Sequence, residues 1–198
     1  YDDEGTLNWG TKLTGAMNSQ VLDLATDESG VYLVGSFEGE ANLGNLTMSS
    51  EGDADGFIAK LDPEGNPQWT QTVGGTASDR IESVEVDPYG DPIIAGHFAG
   101  TASAGEHSID SAGGSDIVLL QASGESGGVL RIRSIGGAGS EQAGELAIAS
   151  DGTLHLSARH SGEATMDDFQ IDNQGKPGSL LVVAGGPNGL PETAIPSQ

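Results

Sequence analysis

The stretch DGFIAKLDPEGNPQWTQTVGG, Asp55 to Gly75, decides the fold, because the chain begins the same phrase again at Asp116 with DIVLLQASGESGG. Self-similarity at a fixed period is the mark of repeat architecture and has to be sought before individual elements are read. Working outward, WTQTVGG carries Trp69, Gly74 and Gly75, and RIRSIGG carries Arg131, Gly136 and Gly137; WGTKLTG supplies Trp9 at the start of the chain. DESGVYLVGSFEG from Asp27 matches DPYGDPIIAGHFAG from Asp87, and SDGTLHLSARHSG from Ser150 matches both. Three statements of one phrase exist, with a period of about sixty residues.

Within each unit, apolar residues alternate with polar ones, as in half-buried strands. In IESVEVDPYG, residues Ile81, Val84 and Val86 are apolar, and the turn leads into DPIIAG. VLDLATDESG with VYLVG, and GELAIASDG with TLHLSA, are the corresponding pairs, so tight hairpins are expected near Gly30, Gly90 and Gly152. A polar stretch follows each hairpin, such as EGEANLGNLTMSSEGDA, and then a run such as FIAKL, IVLLQ or LLVVA that reads as a strand buried on both sides. A Trp-type strand closes the unit. The segment GSEQAGELAIAS from Gly139 has helix-forming residues, yet its alignment with IESVEVD reads as strand. The expectation is an all-β domain of three four-stranded antiparallel units at approximately 3–61, 63–121 and 127–184, with a C-terminal tail at 185–198. A period of this length favours propeller blades over solenoid coils, which repeat at shorter intervals.

The succession DGFIAKLDPEGNPQWTQTVGG, then Asp79, then VDPYGDPIIAGHFAG resembles the bacterial seven-bladed β-propeller repeat family, common in large exported proteins. The resemblance spans nearly all of the first two units. In the third, Arg131 stands at the Trp69 position, Ser179 replaces the aspartate of Asp55 and Asp116, and Lys60 has no basic counterpart. It implies a propeller-type fold. It leaves function open, because propellers host binding, scaffolding and catalysis alike.

Composition narrows the function classes. Lys plus Arg number 7 against 30 Asp plus Glu, a formal charge of −23 in 198 residues, so phosphate backbones and anionic headgroups are repelled. Nucleic acid and membrane surfaces are therefore poor partners, and cations or basic partners are favoured. No cysteine is present, which excludes disulfides and thiolate-bound metal. Acidity, few lysines and abundant Gly, Ser and Thr point to an exported protein, extracellular or on the cell surface.

Trp9 and Trp69 stand next to glycines in strand-like segments, which favours packing between neighbouring units over sugar stacking. In EGDADGF, Asp53 and Asp55 are two apart before Gly56, as at the start of a calcium loop, and are the candidate metal ligands. The later oxygen ligands of such a loop are missing. Because Asp55 recurs as Asp116, a carboxylate that accepts backbone N–H groups at a turn is the competing reading. TMDDFQID, with Asp167, Asp168 and Asp172, reads as a solvated acidic loop. The histidines His97, His107, His155 and His160 have no metal-ligand spacing, and neither a P-loop nor HExxH occurs.

These features lead to the expectation of a non-enzymatic structural or adhesive surface module without a cofactor, binding protein or glycan through its loops. The alternative is a lectin or propeller hydrolase with a site on one face of the blades. TLNWGTKL, residues 6–13, is expected to pair outside its own three units, with blades of a longer parent chain or with SLLVVA, residues 179–184, of a neighbouring copy.

Overall fold

The computed structural model describes residue 4 and residues 6–166, 169–171 and 177–184. Among these the chain is all β, antiparallel and without helices. The first unit is a meander of β2 (Asn18–Asp27), β3 (Gly30–Leu43), β4 (Leu46–Leu61) and β5 (Pro67–Gly75). The second repeats it with β6 (Arg80–Val86), β7 (Pro92–Ala104), β8 (His107–Ala122) and β9 (Val129–Ile135). The third has three strands among the described residues, β10 (Ser140–Ile148), β11 (Leu154–Ser161) and β14 (Pro177–Ala184), with a small hairpin of β12 (Ala164–Met166) and β13 (Phe169–Ile171). The acidic cluster at 167, 168 and 172 and the tail at 185–198 lie outside the described residues.

The polar stretch of the first and second units is strand rather than loop. A two-residue turn at Gly44–Asn45, with Gly44 at φ +59°, folds β3 directly onto β4, and Gly105, at φ +58°, does the same for β7 and β8. The β2–β3, β6–β7 and β10–β11 turns carry an aspartate whose side chain accepts the N–H two residues on: Asp27 from Ser29, Asp87 from Tyr89 and Asp151 from Thr153. Such side chains pin the turn locally, which is why DESG, DPYG and SDG end strands here.

Three apolar layers alternate with the units. Tyr32, Val34, Ile58 and Val73 of the first unit pack on Ile81, Val84, Ile94 and Phe98 of the second. Ile93, Leu119 and Ile135 of the second pack on Leu146, Leu154 and Leu156 of the third. Phe37, Phe57 and Leu61 cover the other face of the first unit, against Leu13 and Ala16.

TLNWGTKL behaves differently from its expected role. Residues 6–12 form no strand, and β1 (Leu13–Thr14) pairs within the chain, with Asn42 and Leu43 of β3. The physical reason lies in Trp9, whose indole N–H donates to Pro63 O at 2.9 Å, on the β4–β5 turn. A Cβ added at Gly65 would meet that indole at 2.5 Å. Trp69 repeats the arrangement one unit later, donating to Gly124 O at 3.3 Å, with Gly127 beneath its ring. Trp69 thus lies on a glycine of the next unit's turn, a packing role between units, and Trp9 lies on the first unit's own β4–β5 turn.

The double glycine is explained by what surrounds it. A Cβ on Gly75 would sit 2.1 Å from Thr101 O, against backbone that cannot yield. We expect Gly75→Ala to lower stability by about 2 kcal/mol or more, and Gly10→Ala, with no neighbour within 4 Å, to stay within about 0.5 kcal/mol of wild type in urea titrations.

Candidate functional site

The crossover from β5 to β6, residues 75–79, carries the densest polar chemistry of the described chain. Asp55 of β4 is buried beneath Gly74, whose added Cβ would lie 2.6 Å from its carboxyl carbon. Its Oδ2 accepts the Glu51 N–H at 3.0 Å. Asp79, equally buried, accepts the Gly75 N–H at 2.8 Å on Oδ2 and the Ala99 N–H at 2.9 Å on Oδ1. One carboxylate therefore ties the end of the first unit to the second strand of the next.

The next crossover repeats the device with other residues. Asp116 lies beneath Gly136 and accepts from the Ala112 N–H at 2.9 Å and the Ser134 hydroxyl at 3.2 Å. Glu141 takes the place of Asp79 and accepts the Gly137 N–H at 3.0 Å. Among the described residues four buried carboxylate oxygens have no hydrogen-bond partner: Asp55 Oδ1, Asp116 Oδ1 and Glu141 Oε1 at the crossovers, and Glu82 Oε2. A buried, unsatisfied carboxylate oxygen disfavours the charged form. Burial accordingly pushes the Asp55 carboxyl up to about 7, the nearby Asp79 and Glu51 raising it further against the Glu51 N–H. Asp79 is raised by burial, against the N–H groups of Ala99 and Gly75 and the neighbouring His97. Glu141 is raised by burial, with Asp116 adding to the rise while the Gly137 N–H and His160 oppose it.

Above the first crossover a cavity of about 250 Å³ opens between the units, lined among others by Asn18, Gln20, Ser36, Ser78, Arg80 and His97. Arg80 Nη2 donates to Gln20 Oε1 across the junction at 2.9 Å, and His97 Nδ1 lies 3.0 Å from Glu82 Oε1. These are polar groups suited to holding hydroxyls. On the opposite side, the turns form an open acidic groove of about 700 Å³ with Asp27, Asp87, Asp91 and Glu125 at its walls and Tyr89 exposed beside it. Lys60 reaches into this region from beneath, its ammonium donating to Gly124 O at 2.7 Å and lying 5.1 Å from the Tyr32 ring centroid.

The residues singled out from sequence are separated by the fold. Asp53 is exposed on β4, whereas Asp55 is buried beneath Gly74, so the two carboxylates open to different environments. Among the described residues, no group of three or more His, Cys, Asp or Glu side chains is placed to hold a metal ion. His155 faces Ala147 in the β10–β11 register, and His160 Nδ1 lies 3.0 Å from Gly162 O. Two functional signals escape a reading by motif. The Asp79–Glu141 equivalence is hidden by the change of side-chain length, although both stand four residues after the second glycine. Gly124 to Gly128 reads G-x-S-x-G, the spacing of a nucleophile elbow. It forms the β8–β9 turn, where Ser126 Oγ accepts the Gly128 N–H at 3.3 Å, and no helix follows it. No protein-family model matches the chain, and no curated protein matches it.

The raised carboxyls fix a sign for pH. The folded state holds the Asp55 proton above its ordinary value of 3.8, so the stability it contributes is complete below about pH 4 and is lost as pH rises through about 7. Asp55→Asn removes this titration while keeping the shape. In urea denaturation at about pH 4.5 and about pH 8, the midpoint of wild type is expected to fall more between the two than that of the variant. Equal falls would remove Asp55 from the account.

Proposed function

We propose that this chain is a non-enzymatic, exported repeat module of β-propeller type, a structural or adhesive element of the cell surface that engages a protein or glycan through its loops. The observation that carries this reading is the recurrence of one set of contacts from unit to unit. Trp9 and Trp69 sit on the glycines of the following turn, Asp55 and Asp116 lie beneath Gly74 and Gly136, and Asp79 and Glu141 accept the N–H of the glycine four residues before them. Successive four-stranded meanders packed face to face through apolar layers are the construction of propeller blades. The carboxylates best shielded from water are engaged by main-chain N–H groups at the junctions, which is the chemistry of a scaffold.

Binding falls to the two sides of the units. The turn side offers an acidic groove with the exposed Tyr89, suited to a basic partner; the crossover side offers the Arg80 and His97 cavity, suited to the hydroxyls of a glycan. The purified protein is expected to turn over no member of a panel of chromogenic glycosides and esters. Turnover that disappears in Asp79→Asn or in Ser126→Ala would contradict the non-enzymatic reading. On a glycan array, any ligand of the crossover cavity is expected to be lost in Arg80→Ala.

A further inference from the structure

The innermost strands of the three units are joined in series by one kind of contact. Asp23 Oδ2 of β2 accepts both the Val84 N–H and the Ser83 hydroxyl of β6, each at 3.0 Å. Ser83 Oγ in turn accepts the Leu146 N–H of β10 at 3.1 Å. Leu24, Val84 and Leu146 pair with Leu33, Ile94 and Leu156, so they hold one structural place. The residues just before them, Asp23, Ser83 and Glu145, hold the next, and Asp23 and Ser83 each present an oxygen to the following unit.

On the first unit the equivalent place lies open among the described residues. Val84 and Leu146 are 2% and 5% exposed because a preceding unit covers them; Leu24 is 57% exposed. Val21, which pairs with Gly35 as Ile81 pairs with Gly96, is 53% exposed where Ile81 is 0%. The Leu24 N–H, lacking a carboxylate from a preceding unit, donates to Asp23 Oδ1 of its own strand at 2.8 Å. At the other end Glu145, in the place of the acceptors Asp23 and Ser83, is exposed. The donor place is thus open on the first unit, and Glu145 stands in the register of the acceptors on the third.

We propose that the first unit of one copy docks on the third unit of a second copy, Val21 and Leu24 closing over β10 and β11, with Glu145 of the second copy accepting the Leu24 N–H. This rests on the repeat-module reading and names the partner. A second copy is the occupant because the Leu24 N–H and Glu145 stand in the register places that donor and acceptor hold in the two internal junctions, with His155 and Ser157 where Tyr32 and Val34 or Ile93 and Ala95 stand there. Such a head-to-tail interface is heterologous, giving a ring if the rotation closes and an open chain if it does not. With a formal charge of −23 on each copy, like-charge repulsion opposes the contact, so salt strengthens it; a basic partner on the same face would be weakened by salt.

Sedimentation velocity on the purified chain tests this, at about 0.05 M and about 0.5 M sodium chloride, the latter cutting the screening length to about 4 Å. Wild type is expected to form species heavier than the 20.0 kDa monomer, increasingly so with concentration and with salt. Leu24→Asp and Glu145→Arg, both surface changes, are each expected to lose association while keeping the wild-type melting temperature within about 2 °C. Mixed in equal amounts, they are expected to recover a two-chain species, because each retains the half-site that the other lacks. A wild-type chain that stays monomeric at both salts, an associating Leu24→Asp variant or a mixture that stays monomeric would overturn the docking. None of these outcomes bears on the repeat-module reading, which the turnover and glycan measurements decide separately.

Discussion

A carboxylate buried beneath a glycine is the constraint on which the rest of this fold depends. At each crossover the chain leaves the outer strand of one unit and must enter the inner strand of the next within four residues. The turn places main-chain N–H groups where water cannot reach them, and an unpaired buried N–H costs about as much as a lost hydrogen bond. Asp79 and Glu141 satisfy Gly75 and Gly137. The first glycine of each pair leaves room for the carboxyl of Asp55 or Asp116, and the second lets the backbone of the next unit approach to within contact of Thr101 O or Glu163 O. Neither glycine tolerates a methyl group, for two different reasons.

That arrangement has an electrostatic consequence. Two acids share each junction, Asp55 with Asp79 and Asp116 with Glu141, and burial raises Asp55, Asp79 and Glu141. Many acids in this chain are exposed and contribute to its long-range field, whereas these four are engaged locally by N–H groups. Lys60 and Arg80 each bridge units, through Gly124 O and Gln20 Oε1, and Gln121 replaces Lys60 in the second unit by bonding Asp87 instead.

Much of the architecture was legible in the sequence because repeats expose it. The spacing of Trp9 from Trp69 and of Asp55 from Asp116 located the units, and the hairpin glycines Gly30, Gly90 and Gly152 fell at their turns. The polar stretch 38–54 was harder, because alternation of Ser, Thr and Glu carries little hydrophobic signal; cross-strand pairing through a two-residue turn makes it strand. TLNWGTKL looked like a strand because it copies the residues of β5, yet residues 6–12 lack the pairing partner that Lys60 gives Trp69. The site was less legible than the fold. That Gly74 covers Asp55 is a contact between separate strands, and the inner-strand series of Asp23, Ser83 and Glu145 uses three different side chains for one place. Only the register brings them into line.

Native-state hydrogen exchange at the crossovers tests this account most directly. If the buried carboxylates hold the junctions, the amides of Gly75, Ala99 and Gly137 exchange as slowly as those in the centres of β4 and β8, since opening them requires parting two units. Exchange of these three amides as fast as that of the exposed turn residue Glu106 would show that the crossovers open independently of the units. The carboxylates would then be passengers of the fold rather than what joins it.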